Sequence, residues 1–159
     1  MEKLPNIVRL HVAAYSTFLS MKWMIESNSN NNDTLYSLME RIKKIAESSI
    51  YYAVNRKIPP YYTKISDKVN NTLADLYQRI SKVNDPIKKT LHIISFMELS
   101  NLLQQDIAVT LKQPNWILLH KEMKLLMDNY LLPQYPDAED IGLSWYYEIF
   151  LGEKKYAIR

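Results

Sequence analysis

Three histidines, His11, His92 and His120, are the side chains best suited to proton transfer or metal binding in this sequence. Metal sites inside helical bundles commonly use Glu-x-x-His pairs from two helices. The residues three positions before these histidines are Val8, Lys89 and Ile117, so no such pair exists. His120 and Glu122 are two residues apart and point to different faces of a helix. His92 falls in a stretch read as a buried helix, where a hydrogen-bonded core imidazole is the plainest account. Cysteine is absent, which removes thiolate chemistry and disulfides and suits a reducing cytoplasm. There is no glycine-rich phosphate loop, G-x-S-x-G elbow or H-E-x-x-H pair. Asp137, Glu139 and Asp140 cluster at a helix start, where the helix dipole favours anions. These patterns point to a protein that is not an enzyme, with no metal, no cofactor and no evident small-molecule substrate.

Charge and aromatic side chains offer other chemistry. The net charge is +3, yet residues 41–89 hold 11 cations against 4 anions. Within that segment lies VNRKIPPYYTK, residues 54–64, where Arg56, Lys57 and Lys64 surround Tyr61 and Tyr62, with Lys68 one turn further on. Cations interleaved with aromatics can hold single-stranded nucleic acid through phosphate contacts and base stacking. Arg79, Lys82, Lys88 and Lys89 form a second basic group, and Asp67, Asp75 and Asp85 dilute the field. Pro59-Pro60-Tyr61-Tyr62 also fits P-P-x-Y, a pattern similar to the ligands of WW domains. The plainer reading is that the prolines stop one helix and the tyrosines cover the end of a bundle. Trp23, Trp116 and Trp145 have two readings: they seal peripheral helices to the core, or they form an exposed partner-binding surface.

The elements carrying these residues read as helices throughout. Only two glycines, Gly142 and Gly152, occur in 159 residues, too few for a turn-rich β fold. Apolar spacing and proline positions predict helices over Pro5–Glu26, from Leu35 to about Arg56, over Ile65–Val83, Pro86–Lys112, Asn115–Leu131 and Ala138–Phe150. The first carries the stripe Val8, Val12, Tyr15 and Leu19, with Trp23 off its axis. Asp33 or Thr34 caps the second, Asp85 followed by Pro86 restarts the fourth, and Gly152 is a C-terminal stop. The polar run Ser27–Asp33 separates the first two helices. The fourth helix is apolar on more than one side between Leu91 and Leu103, which predicts a central position. No apolar run is long enough for a membrane span.

Leu4-Pro5, Thr34-Leu35, and Ala53 ahead of Arg56-Lys57 resemble the small basic four-helix accessory proteins of diversity-generating retroelements, over residues 4–112. The resemblance implies a four-helix fold and contact with nucleic acid. The family's glycine-rich C-terminal end has no counterpart in Gln105–Gln113.

The sequence therefore predicts an all-α protein of one domain over residues 1–159. Its expected architecture is an up-down four-helix bundle over residues 5–112, with two further helices over 113–159 packed across one end or side. The leading functional expectation is a cytoplasmic protein-protein interaction or assembly subunit, self-association included, with Trp23, Trp116 and Trp145 as the partner surface. The alternative is a nucleic-acid-binding bundle using Arg56, Lys57, Tyr61, Tyr62, Lys64 and Lys68.

Overall fold

A computed structural model describes residues 7–27, 32–58 and 60–151. The expected helix start at Pro5, most of the polar run after Ser27, Pro59 and the Gly152 stop lie outside the described residues. The helices are α1 (Ile7–Glu26), α2 (Asn32–Asn55), α3 (Pro60–Ser81), α4 (Pro86–Leu111), α5 (Pro114–Leu126) and α6 (Asp137–Leu151). A π-helical turn, Met127–Leu131, continues α5. The described residues contain no strand, and no helix among them is long and apolar enough to cross a membrane.

Local signals set most boundaries. Asp85 has extended backbone and its carboxylate accepts the Ile87 N–H at 3.0 Å, while Pro86 fills the first turn of α4 where no donor is needed. At the end of α2, Lys57 adopts the left-handed conformation (φ 55°). There the Ile58 N–H reaches the Ala53 carbonyl at 2.7 Å, and the Lys57 N–H reaches that of Val54 at 3.1 Å. This is a Schellman-type stop built on lysine rather than glycine. Helix α3 then begins at Pro60, five residues before the expected Ile65, because proline is pre-set for a first helical position. Tyr61 and Tyr62 are thus helical residues, not loop residues.

Helix α4 occupies the centre, as its pattern, apolar on more than one side between Leu91 and Leu103, predicts. Every residue from His92 to Asn101 is buried, and α4 contacts α2, α3, α5 and α6. One continuous core joins residues of α1 to α4, the π turn and α6. A smaller cluster, including Leu10, Phe18, Trp116 and Leu119, ties α1 to α5.

Helix α6 is a wall of this core and not a cover for one end. It lies along α4 and also touches α3. Gly142 permits the approach. A Cβ there would sit 2.8 Å from the Ser95 carbonyl oxygen and 2.8 Å from Glu98 Cβ, closer than real Cβ contacts come. Trp145, one turn later, is 1% exposed and its ring lies near-parallel to His92, with centroids 6.1 Å apart.

The face that α1 turns inward also differs from expectation. Leu10, Ala14, Thr17, Phe18, Met21 and Met24 are buried, whereas Val8, Val12, Tyr15 and Leu19 are exposed. Both sets repeat at helical spacing, so periodicity alone could not choose between them. The buried set brings the longer methionines and Phe18 against the core, with Ala14 at a close approach.

Candidate interaction surface

The exposed side of α1 is an unbroken apolar ridge. Val8 is 63% exposed, Val12 60% and Trp23 62%, with Tyr15 and Leu19 between them nearly half exposed. At 100° per residue these five positions fall within an arc of about 80°. Trp23 therefore extends the ridge and does not stand apart from it. The steps of four, three, four and four match the seam of a helix that pairs with another helix. Scattered exposed apolar residues are ordinary, but a contiguous line rimmed by polar groups marks a contact surface.

Beside the ridge, α1 and α2 enclose an open groove of about 940 Å3. Tyr15, Leu19 and Trp23 form its α1 wall, and Ser37, Leu38 and Arg41 lie on the α2 side. Ser16 and Ser20 flank the apolar ridge on its α2 side. Arg41 reaches across to them, donating to Ser20 Oγ at 2.8 Å and Ser16 Oγ at 3.0 Å. Those acceptors are neutral, and among the described residues Arg41 forms no ion pair. Asp33 lines the same groove two turns before Arg41 on α2.

Of the three tryptophans read as a partner surface, only Trp23 is exposed. Trp116 and Trp145 are 4% and 1% exposed and seal α5 and α6 to the body of the fold. The reason is positional. Trp116 enters the first turn of α5 against α1, its ring near His11, and Trp145 faces α4 across the Gly142 approach.

The basic tyrosine-containing corner is partly dismantled in the same way. Arg56, Lys57, Tyr61, Lys64 and Lys68 are exposed at the junction of α2 and α3. The Arg56 guanidinium lies 3.8 Å from the centroid of the Tyr52 ring, an intramolecular cation–π contact. Tyr62 is fully buried and offers no ring face for a base. Its hydroxyl donates to Asp106 Oδ2 at 3.2 Å and lies 3.4 Å from the Leu103 carbonyl. The Tyr146 hydroxyl donates to the same Asp106 oxygen at 2.6 Å. Asp106 thereby links α3, α4 and α6. Burial, followed by the Asp106 carboxylate, holds the Tyr62 hydroxyl far above the usual tyrosine range and pushes Tyr61 up to about 12.

The histidines stay apart. The described residues contain no group of three or more metal-ligating side chains. His92 Nδ1 lies 2.7 Å from the Lys88 carbonyl, a geometry in which Nδ1–H donates, and burial lowers its pKa. His120 lines an internal cavity of about 40 Å3 between α1, α2, α4 and α5. Ser100 Oγ, the Gln104 amide and His120 Nε2, all at this cavity, have no hydrogen-bond partner among the described residues. The cavity surface is mostly apolar, and its volume is enough for a water beside these groups. Burial, then the Lys124 charge, lowers the His120 pKa to about 4.

Apolar spacing alone did not disclose the groove itself. The signal available was the double periodicity of α1, which leaves one apolar stripe unused whichever face is buried. These features define an all-α protein with an exposed apolar ridge on α1. No family model matches the chain, and neither a curated protein nor a solved structure matches it.

Proposed function

We propose that this protein acts without catalysis, as an interaction or assembly subunit whose contact surface is the α1 ridge with the adjoining α1/α2 groove. One observation carries the reading: five large apolar side chains, Val8 to Trp23, face solvent in register beside a groove of about 940 Å3. In this reading α1 to α4 form an up-down bundle, supported by the pairing of α1 with α2, α2 with α3 and α3 with α4. Helices α5 and α6 complete it as one domain, and the absence of cysteine suits a cytoplasmic setting.

The test is site-specific photo-cross-linking in the source cells, with benzoyl-phenylalanine in place of Leu19 or of Gln78, which is exposed on α3. Discrete protein adducts should form from position 19 and not from position 78. Equal labelling from both sites, or none from position 19, would remove the basis of the reading.

A second reading retains nucleic acid. It is supported by the exposure of Arg56, Lys57, Lys64 and Lys68, none of which forms an ion pair among the described residues. Only Tyr61 remains for stacking. Binding to single-stranded RNA or DNA should then fall steeply with salt, and glutamine at the four cations should flatten that slope, by roughly 0.7 per lost contact. An absence of binding at low salt discards this reading.

A further inference from the structure

We infer that the α1/α2 groove receives an amphipathic helix of a partner protein, one whose apolar stripe carries a carboxylate at mid-length to meet Arg41. The inference rests on the interaction reading above and adds the chemistry of the occupant. The ridge from Val8 to Trp23 spans 15 residues, about 23 Å or four helical turns. Its four-three-four spacing suits a second helix laid along it, apolar residues against apolar residues.

Charge decides what else that helix must carry. Arg41 lies beside the middle of the ridge, held by Ser16 and Ser20 at 3.0 and 2.8 Å. A guanidinium whose partners among the described residues are hydroxyl groups keeps its full charge. If an apolar helix covered it, Arg41 would be desolvated without a counter-ion, which costs more than the apolar contacts nearby recover. A carboxylate from the occupant removes that penalty and can bind in the two-pronged geometry guanidinium favours. Asp33 cannot do so from within the chain, because eight residues separate it from Arg41 along α2, about 12 Å of helix. The two serines leave space at this point, since their short side chains flank the bulky ridge residues on the side that meets Arg41. The groove is therefore apolar along its α1 wall, with a cation beside its middle and Asp33 about 12 Å away along α2.

The experiment is selection from a displayed library of helical peptides on the full protein. The peptides are apolar at heptad positions a and d and varied elsewhere. Recovered peptides should carry Asp or Glu at one mid-helix position. Arg41→Gln should weaken them roughly tenfold or more, the size expected for a lost charge-assisted contact. Arg41→Glu should instead select Lys or Arg at that position, and Leu19→Asp should abolish recovery. Circular dichroism and melting of each variant confirm that the fold persists. No acidic preference, equal binding to Arg41→Gln, or no binder at all overturns the inference. So does sedimentation showing a dimer that Leu19→Asp dissociates, which would assign the groove to a second copy. Cross-links from position 19 without an acidic preference would leave the interaction reading standing and remove only the carboxylate requirement.

Discussion

Trp145→Ala should cost about 3–5 kcal/mol of folding stability, the range for truncating a buried aromatic side chain. Domains of this size have roughly 5–15 kcal/mol in total, so the variant should fold but melt roughly 10 °C lower or more. Trp145 is 1% exposed, stacks on His92 and follows the Gly142 approach of α6 to α4. Alanine there leaves a cavity that α6 cannot close, because Ser95 and Glu98 already meet the helix at Gly142. The Trp145 indole N–H is buried without an acceptor among the described residues. Trp145→Phe should therefore be far milder than alanine, as it keeps most of the ring volume and removes an orphaned donor. Urea denaturation followed by circular dichroism separates two outcomes. A single transition moved to lower urea means α6 is a wall of one cooperative core. A loss below about 1 kcal/mol, with a separate early loss of helical signal, would make α6 a loosely attached appendage.

The distinction matters because the sequence predicted only that two further helices pack across one end or side of the bundle. Two helices after Gln113 could be counted but not placed, since their apolar spacing says that a face is buried and not against what. Glycine at 142 is the one local clue to the α4 contact. It becomes informative only once Ser95 and Glu98 are known to lie opposite. By contrast, α2 and α4 could be read almost completely. The stripe of α2 is bordered by Glu40, Arg41, Lys43, Lys44 and Glu47, so only one face could turn inward. Between Leu91 and Leu103, α4 carries Ile93, Ile94, Phe96, Met97, Leu99, Leu102 and Leu103 on more than one side, a pattern that favours the centre. Helix α1 failed as a reading for the opposite reason: two apolar stripes on one helix fit the core equally well by pattern. The choice came from fit against α2 and α5, a tertiary matter. The tyrosine pair failed similarly. Tyr62 is fully buried and bonds Asp106, and Tyr61, though 43% exposed, lays its ring 5.0 Å from that of Tyr62 and against the edge of Phe150, so both rings are already engaged within the protein. A composition argument that counts both rings for stacking overlooks that geometry. Arg41, the residue on which the proposed recognition depends, looked like one more solvated cation on a charged face. That its partners among the described residues are the Ser16 and Ser20 hydroxyls and not a carboxylate is visible only when α1 is laid beside α2.

Acidification should destabilise the fold, with His120 as the principal cause. Its pKa is lowered to about 4 by burial and by Lys124, against 6.5 for the free side chain. The folded protein thus resists a proton that the unfolded chain accepts. The stability this gives is fully present above pH 6.5 and is lost as pH falls through the window to about 4. A difference of that size corresponds to a loss on the order of 3 kcal/mol across the window. His92 acts in the same direction, since burial lowers its pKa too. Glu98 opposes both. Burial raises its pKa, so the folded state takes up a proton there more readily as pH falls. Urea midpoints measured at pH 7, 6 and 5 should decline for the native protein. His120→Gln should remove most of the decline while leaving the melting at pH 7 nearly unchanged, because glutamine keeps a polar group at the cavity it shares with Ser100 and Gln104. Glu98→Gln should steepen the decline by removing the opposing group. A flat native profile, or a His120→Gln profile as steep as the native one, would show that the cavity admits solvent readily enough for the imidazole to titrate almost as it does in water. The orphaned Ser100, Gln104 and His120 atoms would then belong to a hydrated channel between α1, α2, α4 and α5 and not to a closed core.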